Sequence, residues 1–218
     1  IINDITDPCL KALISNLQNA NKLTNTIGGI LQNVFGENNN ITLTFKQDDN
    51  LTDENGTPVK GRSSIINNST YQIQLNSLVL KEYSPEAQTL TIMHEVLHNN
   101  FFILYNSQTT PNGHTRMLND YIEKLASSLE DLYPQLKSHH DVTIALCFAN
   151  LGASVGDNIK DIKKSDFDNA LNYYAQQGLF DLNDTNDWYR KANLVQWADK
   201  TESPLGTISP CLNNIKIE

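Results

Sequence analysis

Basic residues are scarce in this chain. Across 218 residues, 16 Lys and Arg face 25 Asp and Glu, giving a formal net charge of −9 and a pI near 4.9. A nucleic-acid binder shows the opposite balance, so no nucleic-acid partner is expected. The same deficit argues against an electrostatic anchor on an acidic membrane surface. Long apolar runs are missing as well: none approaches the roughly 20 residues that a membrane span needs. Cysteine is limited to Cys9, Cys147 and Cys211, which are too scattered for a Cys-based metal site. Cys9 and Cys211 lie towards opposite ends, each beside a proline. In an exported protein they would pair and leave Cys147 as a buried odd thiol; three reduced cysteines is the other reading. There is no initiator Met and no signal peptide, since the chain opens Ile1-Ile2-Asn3, as a processed or trimmed chain does. Export to the periplasm, cell surface or extracellular space is the expectation. Internal repeats and low-complexity segments are also absent, apart from a bias towards Asn.

Hydrophobic residues make up 39% of the chain, enough at this length for a single domain with a full core. Asp7-Pro8 introduces a helical stripe of Leu10, Leu13, Ile14 and Leu17. A second helix is expected from Thr26 to Phe35, weakened by Gly28-Gly29 and stopped by Gly36. Ile41 to Phe45 alternates apolar and polar residues, as a strand does. Asp48 to Gly61 is rich in turn residues, with Asn55-Gly56 and Pro58, and reads as an exposed loop. Ser63 to Ile66 and Tyr71 to Leu75 read as two strands joined across Asn67-Asn68-Ser69. A small antiparallel sheet is therefore expected just before the chain's most distinctive segment. The strand Tyr71 to Asn76 is expected to be its edge or the edge's neighbour. An edge strand could pair with an extended peptide; a strand that only packs the following helix is an equal alternative.

That segment is His94-Glu95-Val96-Leu97-His98, in a chain with only 5 His. Two histidines four apart stand one turn apart on a helix face, so both imidazoles can reach one metal. A carboxylate next to the first ligand can take a proton from a metal-bound water, whose pKa zinc lowers towards neutrality. Ser84-Pro85-Glu86 supplies an N-cap, a proline at the first helical position and an acid in the first turn. No Gly or Pro interrupts Ala87 to Tyr105. Both histidines fall on a largely apolar stripe with Ala87, Leu90, Phe101 and Tyr105. Two core histidines satisfied by hydrogen bonds would be the purely structural reading.

A catalytic zinc usually takes three protein ligands and leaves a position for water. The next helical pattern runs from His114 to Tyr133, where Pro134 ends it, with Leu118, Tyr121, Ile122, Leu125, Leu129 and Leu132 as its buried stripe. His114, Asp120 and Glu123 are the candidates for the third ligand. At about 100° per residue, His114 falls close to Leu118 in the stripe, whereas Asp120 and Glu123 fall roughly opposite, towards solvent. His114 is preferred, the alternative being an exposed residue that helps to start a helix. His139-His140-Asp141 reads as a surface turn, with Asp141 capping a new helical run.

His94-Glu95-Val96-Leu97-His98, a loop, and then His114-Thr115-Arg116-Met117 with Tyr121 and the Ile122 to Leu129 helix resemble bacterial zinc peptidases of the SprT-like, minimal-zincin kind. The likeness covers roughly Tyr71 to Tyr133. The small-residue stretch Ala145 to Gly152 is similar to one that follows the site in such proteins. The resemblance implies His94, His98 and His114 as zinc ligands, Glu95 as general base and a zincin-like fold. There are departures. The chain carries no Cys-rich zinc ribbon and no basic region, so the DNA-associated role of some relatives is not expected. A Glu ligand on the next helix, as in thermolysin-type sites, fits the helical wheel less well. After His98 the chain reads Asn99-Asn100-Phe101, without the Gly and close third His of the metzincin extension.

The last third carries no catalytic motif of its own. Asp141 to Leu151 is helical in character and broken by Gly152 and Gly156. Further helices are expected behind Ser165, ending at Gly178, and from Asp187 to Trp197, with an irregular tail from Ser203. Tyr173, Tyr174, Trp188 and Tyr189 could line a cleft or pack a core. The expectation is one α+β domain over residues 1–218. Its core, about 41–133, is a small antiparallel sheet on a metal-binding helix pair, and its C-terminal part, about 141–218, is helical. The expected function is zinc-dependent hydrolysis of a peptide or protein substrate. The competing classes are a non-catalytic zinc-containing surface or interaction protein and a toxin-like effector domain of a larger secreted protein.

Overall fold

Residues with β-branched and apolar side chains at every second position form the strands of the first unit. The structure, a computed structural model, describes residues 1–19, 27–36, 40–105, 113–114 and 116–149. The chain divides into two units, Ile1–Gln108 with Ser209–Glu218, and Thr109–Ile208.

In the first unit a short strand β1 (Ile2–Asp4) leads into helix α1 (Pro8–Asn19). Asp7 caps that helix, its Oδ1 accepting from the backbone N–H groups of Cys9 at 2.9 Å and Leu10 at 3.0 Å. Helix α2 (Ile27–Ile30) follows and continues as a π-helical turn over Leu31–Gly36. Then come β2 (Thr42–Gln47), β3 (Gly61–Asn67), β4 (Thr70–Leu75), the short α3 (Ser77–Leu80) and the long α4 (Pro85–Tyr105). Cys9 is disulfide-bonded; its expected partner Cys211 lies outside the described residues.

The four strands form one mixed sheet in the order β1-β2-β4-β3. This corrects the expected antiparallel sheet: β1 and β2 run parallel, β2 and β4 run parallel, and only the β3–β4 hairpin is antiparallel. The reason lies in the Asp48 to Lys60 segment. It carries the chain past the neighbouring position, so β3 takes the edge and β4 fills the place between β3 and β2. Period-2 alternation reports which face a residue occupies, not which strand lies beside it. Of the two options for the strand at Tyr71, the structure takes the second, next to the edge. The connecting loop turns where the sequence says it should. Asp53 Oδ1 accepts from the N–H groups of Asn55 at 2.9 Å and Thr57 at 2.8 Å, and Gly56 takes a left-handed φ of 80°.

Leu43 and Phe45 of β2 stand in register with Tyr71 and Ile73 of β4, and all four are buried. The opposite face carries Thr44, Lys46, Gln72 and Gln74. The apolar face is therefore the one the helices cover. On β3, Gly61, Ser63 and Ile65 align with Leu75, Ile73 and Tyr71, so these three edge residues share the helix-facing side. Helix α4 packs against β3, β4, α1 and α2. From Glu86 to Phe101 every residue of α4 is buried, not just one stripe. The Ser84 hydroxyl caps it as expected, accepting from the Ala87 N–H at 3.2 Å.

In the second unit, Gly113, His114 and Arg116 are helical, followed by a π-helical turn at Met117–Tyr121 and helix α5 (Ile122–Leu132). The expected single helix is thus interrupted at Tyr121, whose ψ of −8° departs from α geometry. Tyr133 leaves the helix with ψ 79°, the extended bias that a following proline imposes. A 3-10 turn (Pro134–His139) then leads to α6 (His140–Ala149). Ile122, Leu125, Ala126 and Leu129 of α5 and Ile144, Leu146 and Cys147 of α6 are buried where the two helices pack. The helices expected behind Ser165 and from Asp187, the breaks at Gly152 and Gly156, and the tail from Ser203 lie outside the described residues. No helix among the described residues is long and apolar enough to cross a membrane.

Candidate metal centre

His94, Glu95 and His98 sit midway along α4 and are 4–7% exposed. Helical periodicity brings the two imidazoles together: their Nε2 atoms are 3.0 Å apart, with ring planes at 74° and centroids 4.6 Å apart. Neutral imidazole has one N–H and one lone pair, so this contact is either a hydrogen bond between tautomers or two lone pairs facing one point. Ligand nitrogens at 2.0–2.1 Å from a tetrahedral zinc stand roughly 3.3 Å from each other, so the pair is already close to the spacing a shared ion asks for. The ring of Phe102 stacks on His98, with centroids 6.4 Å apart and planes inclined by 25°.

His114 is half-buried, and burial pushes its pKa below the usual value, towards the neutral form that binds metals. His94 and His98 belong to the first unit and His114 to the second. The other third-ligand candidates are placed differently. Asp120 and Glu123 are exposed, as the wheel predicts. Glu123 Oε2 lies 3.3 Å from His140 Nε2, and Glu130 Oε1 lies 2.6 Å from His140 Nδ1. His140 is exposed and opens α6; the side chains of His139 and Asp141 lie outside the description.

Glu95 is the acid of the site, and burial raises its pKa to about 7. Ser63 opposes that shift through its hydrogen bonds, and the charges of Lys60 and Arg62 oppose it from the same strand region. The Ser63 Oγ lies 2.7 Å from Glu95 Oε2 and 2.7 Å from the Glu95 backbone carbonyl oxygen. A hydroxyl has one hydrogen, so both contacts are hydrogen-bonded at once when the carboxyl itself carries a proton and donates to Ser63. Gly61 lies beside the same side chain. A Cβ there would fall 3.1 Å from Glu95 Cγ, 3.3 Å from Leu75 Cδ2 and 3.4 Å from Glu95 Oε1.

Ser63 and Gly61 are the residues that sequence reasoning missed. Their signal was present: positions 61, 63 and 65 alternate in step with Tyr71, Ile73 and Leu75 across a two-residue turn. An inner face that places Gly and Ser among apolar partners marks a spot where something polar is received. Comparison of the chain with protein-family models, curated proteins and solved structures finds no match.

Proposed function

We propose that the chain is a zinc-dependent peptidase of the SprT-like, minimal-zincin kind, with His94, His98 and His114 as ligands and Glu95 as general base. The observation that carries this reading is the pair of facing Nε2 atoms 3.0 Å apart on a buried helix turn that also holds the buried carboxyl of Glu95. Zinc would supply a polarised scissile carbonyl and a bound water acidic enough to ionise near neutral pH. The residues do the rest. Glu95 takes the proton of the attacking water and delivers it to the leaving amine as the carbon–nitrogen bond breaks. A carboxylate beside the first ligand is placed for both steps. Strand β3, paired only on its β4 side among the described residues, offers an edge along which an extended peptide could align. The disulfide at Cys9 supports an oxidising, exported location.

The test begins with metal content after purification without added metal or chelator, for the wild type and His114→Ala. One zinc per chain, lost or much reduced in the variant, is expected. Zinc-loaded wild type should then cleave members of a peptide library that Glu95→Gln leaves intact. Unchanged zinc in the variant would remove His114 from the ligand set, and no zinc uptake by either protein would sink the peptidase reading.

A further inference from the structure

We propose that Ser63 is a positioning residue for Glu95, holding one carboxylate oxygen so that the other performs the proton transfer. This deepens the peptidase reading and rests on it. The geometry has three parts. Ser63 Oγ is 2.7 Å from Oε2 and 2.7 Å from the carbonyl oxygen of the same residue, so its one hydrogen can hold Oε2 of the ionised carboxylate, or go to the carbonyl when the protonated carboxyl donates to Ser63. Ser63 is opposite Ile73, whose side chain is fully buried, so the strand's alternation turns the hydroxyl towards the helix. Two residues earlier on the same face, Gly61 presents bare backbone to Oε1, where even a methyl group would crowd the Cγ and approach that oxygen.

A glutamate side chain has three rotatable bonds and no intrinsic reason to aim one oxygen at a fixed point. Here Oε2 is taken by Ser63, and the space next to Oε1 is kept clear by Gly61. The Gly61-Arg62-Ser63 segment therefore acts as a cradle that selects which oxygen does chemistry. The cradle is part of the edge strand, so the element that could align a peptide also sets the aim of the base. A hydrogen bond that matters for aim at the reacting atoms acts mainly in the transition state, so its loss should lower kcat and leave KM little changed.

The experiment uses the full chain, zinc-loaded, with Ser63→Ala, Ser63→Thr, Glu95→Ala and the Ser63→Ala/Glu95→Ala double variant. On a peptide that the wild type cleaves, Ser63→Ala should reduce kcat about 10- to 100-fold, the scale of a misplaced catalytic group. KM should stay within about two-fold, with zinc content unchanged. Ser63→Thr, which keeps the hydroxyl, should recover most of the loss. An unchanged kcat, an effect confined to KM, or no recovery with Thr would overturn the proposal. A second readout needs no turnover. The unfolding equilibrium constants of the four proteins in the Ser63/Glu95 cycle should show coupling of about five- to ten-fold between the two positions. Additive effects would overturn the proposal even if peptides are cleaved. If the wild type cleaves none, the peptidase reading falls by itself, and coupling in the cycle still decides whether Ser63 holds Glu95.

Discussion

Replacing Gly61 with alanine should be costly only while Glu95 keeps its side chain. The backbone at Gly61 is ordinary extended strand, so the alanine has no conformational penalty there. Relief of unfolded-chain entropy would by itself stabilise the variant by about 0.4–1 kcal/mol. Against this stands crowding. The new methyl would sit 3.1 Å from Glu95 Cγ, inside ordinary carbon–carbon contact, with Leu75 Cδ2 at 3.3 Å and Glu95 Oε1 at 3.4 Å. Inserting a methyl into a packed site typically costs about 1–3 kcal/mol, so the net loss should be about 0.5–2 kcal/mol. In a chain of this size that lowers Tm by about 1–8 °C. In a Glu95→Ala background two of the three close atoms are gone. Only Leu75 Cδ2 remains, at the movable end of a side chain, and Gly61→Ala should be neutral or slightly stabilising. The four proteins of this cycle, unfolded in urea and followed by circular dichroism, should give an interaction of about 1–2 kcal/mol. An equal cost of Gly61→Ala in both backgrounds would refute the close approach of strand β3 to Glu95.

The second unit carries a pH-dependent contact. Burial works to lower the His140 pKa, but its hydrogen bond to Glu130 and the charges of Glu130 and Glu123 outweigh burial and hold it above the usual value. A raised folded-state pKa contributes stability that is fully present below the unfolded value near 6.5 and fades as pH rises through the folded one. The Tm difference between wild type and His140→Gln should therefore shrink from pH 6 towards pH 9, with the His140 imidazole titrating above 6.5 by NMR; a widening difference would reverse the sign of the argument. Cys147 is buried, and desolvation pushes its thiol far above the usual range. Maleimide should leave it unlabelled in the folded chain and label it in urea without reductant; rapid labelling of the native protein would show that the packing of α5 on α6 is wrong.

What was legible in the sequence follows from how local the signal is. The helix carrying His94 and His98 could be read because its cap, its period and its uninterrupted run all lie within some twenty residues. Strand positions Leu43, Phe45, Tyr71, Ile73 and Leu75 could be read because burial alternates with period 2. Strand direction could not be read: the insertion of β4 between β2 and β3 depends on where a long loop returns. The three-residue β1 is too short to show a period. The π-helical turns at Leu31–Gly36 and Met117–Tyr121 add a residue to the helical repeat without an obvious marker in composition. The pairing of His140 with two acids a heptad apart on α5 joins separate elements, so neither segment announces it alone.

The site residues that escaped the sequence reading bear most on why the chain is built this way. A core made only for stability would place an apolar residue at position 95, because a buried carboxyl is costly even when hydrogen-bonded. This chain instead buries an acid between two histidines on one helix turn, then leaves out a side chain at Gly61 and places a hydroxyl at Ser63 to receive it. Each of these choices weakens packing by itself: the glycine removes side-chain contact from a strand, the serine puts a polar group on an apolar face, and the glutamate gives up hydration. They make sense together if, as proposed, the orientation of the carboxylate matters more than the stability forgone. Local rules broken in concert, at one place, around a pair of imidazoles with facing nitrogens, favour a working site over a structural accident.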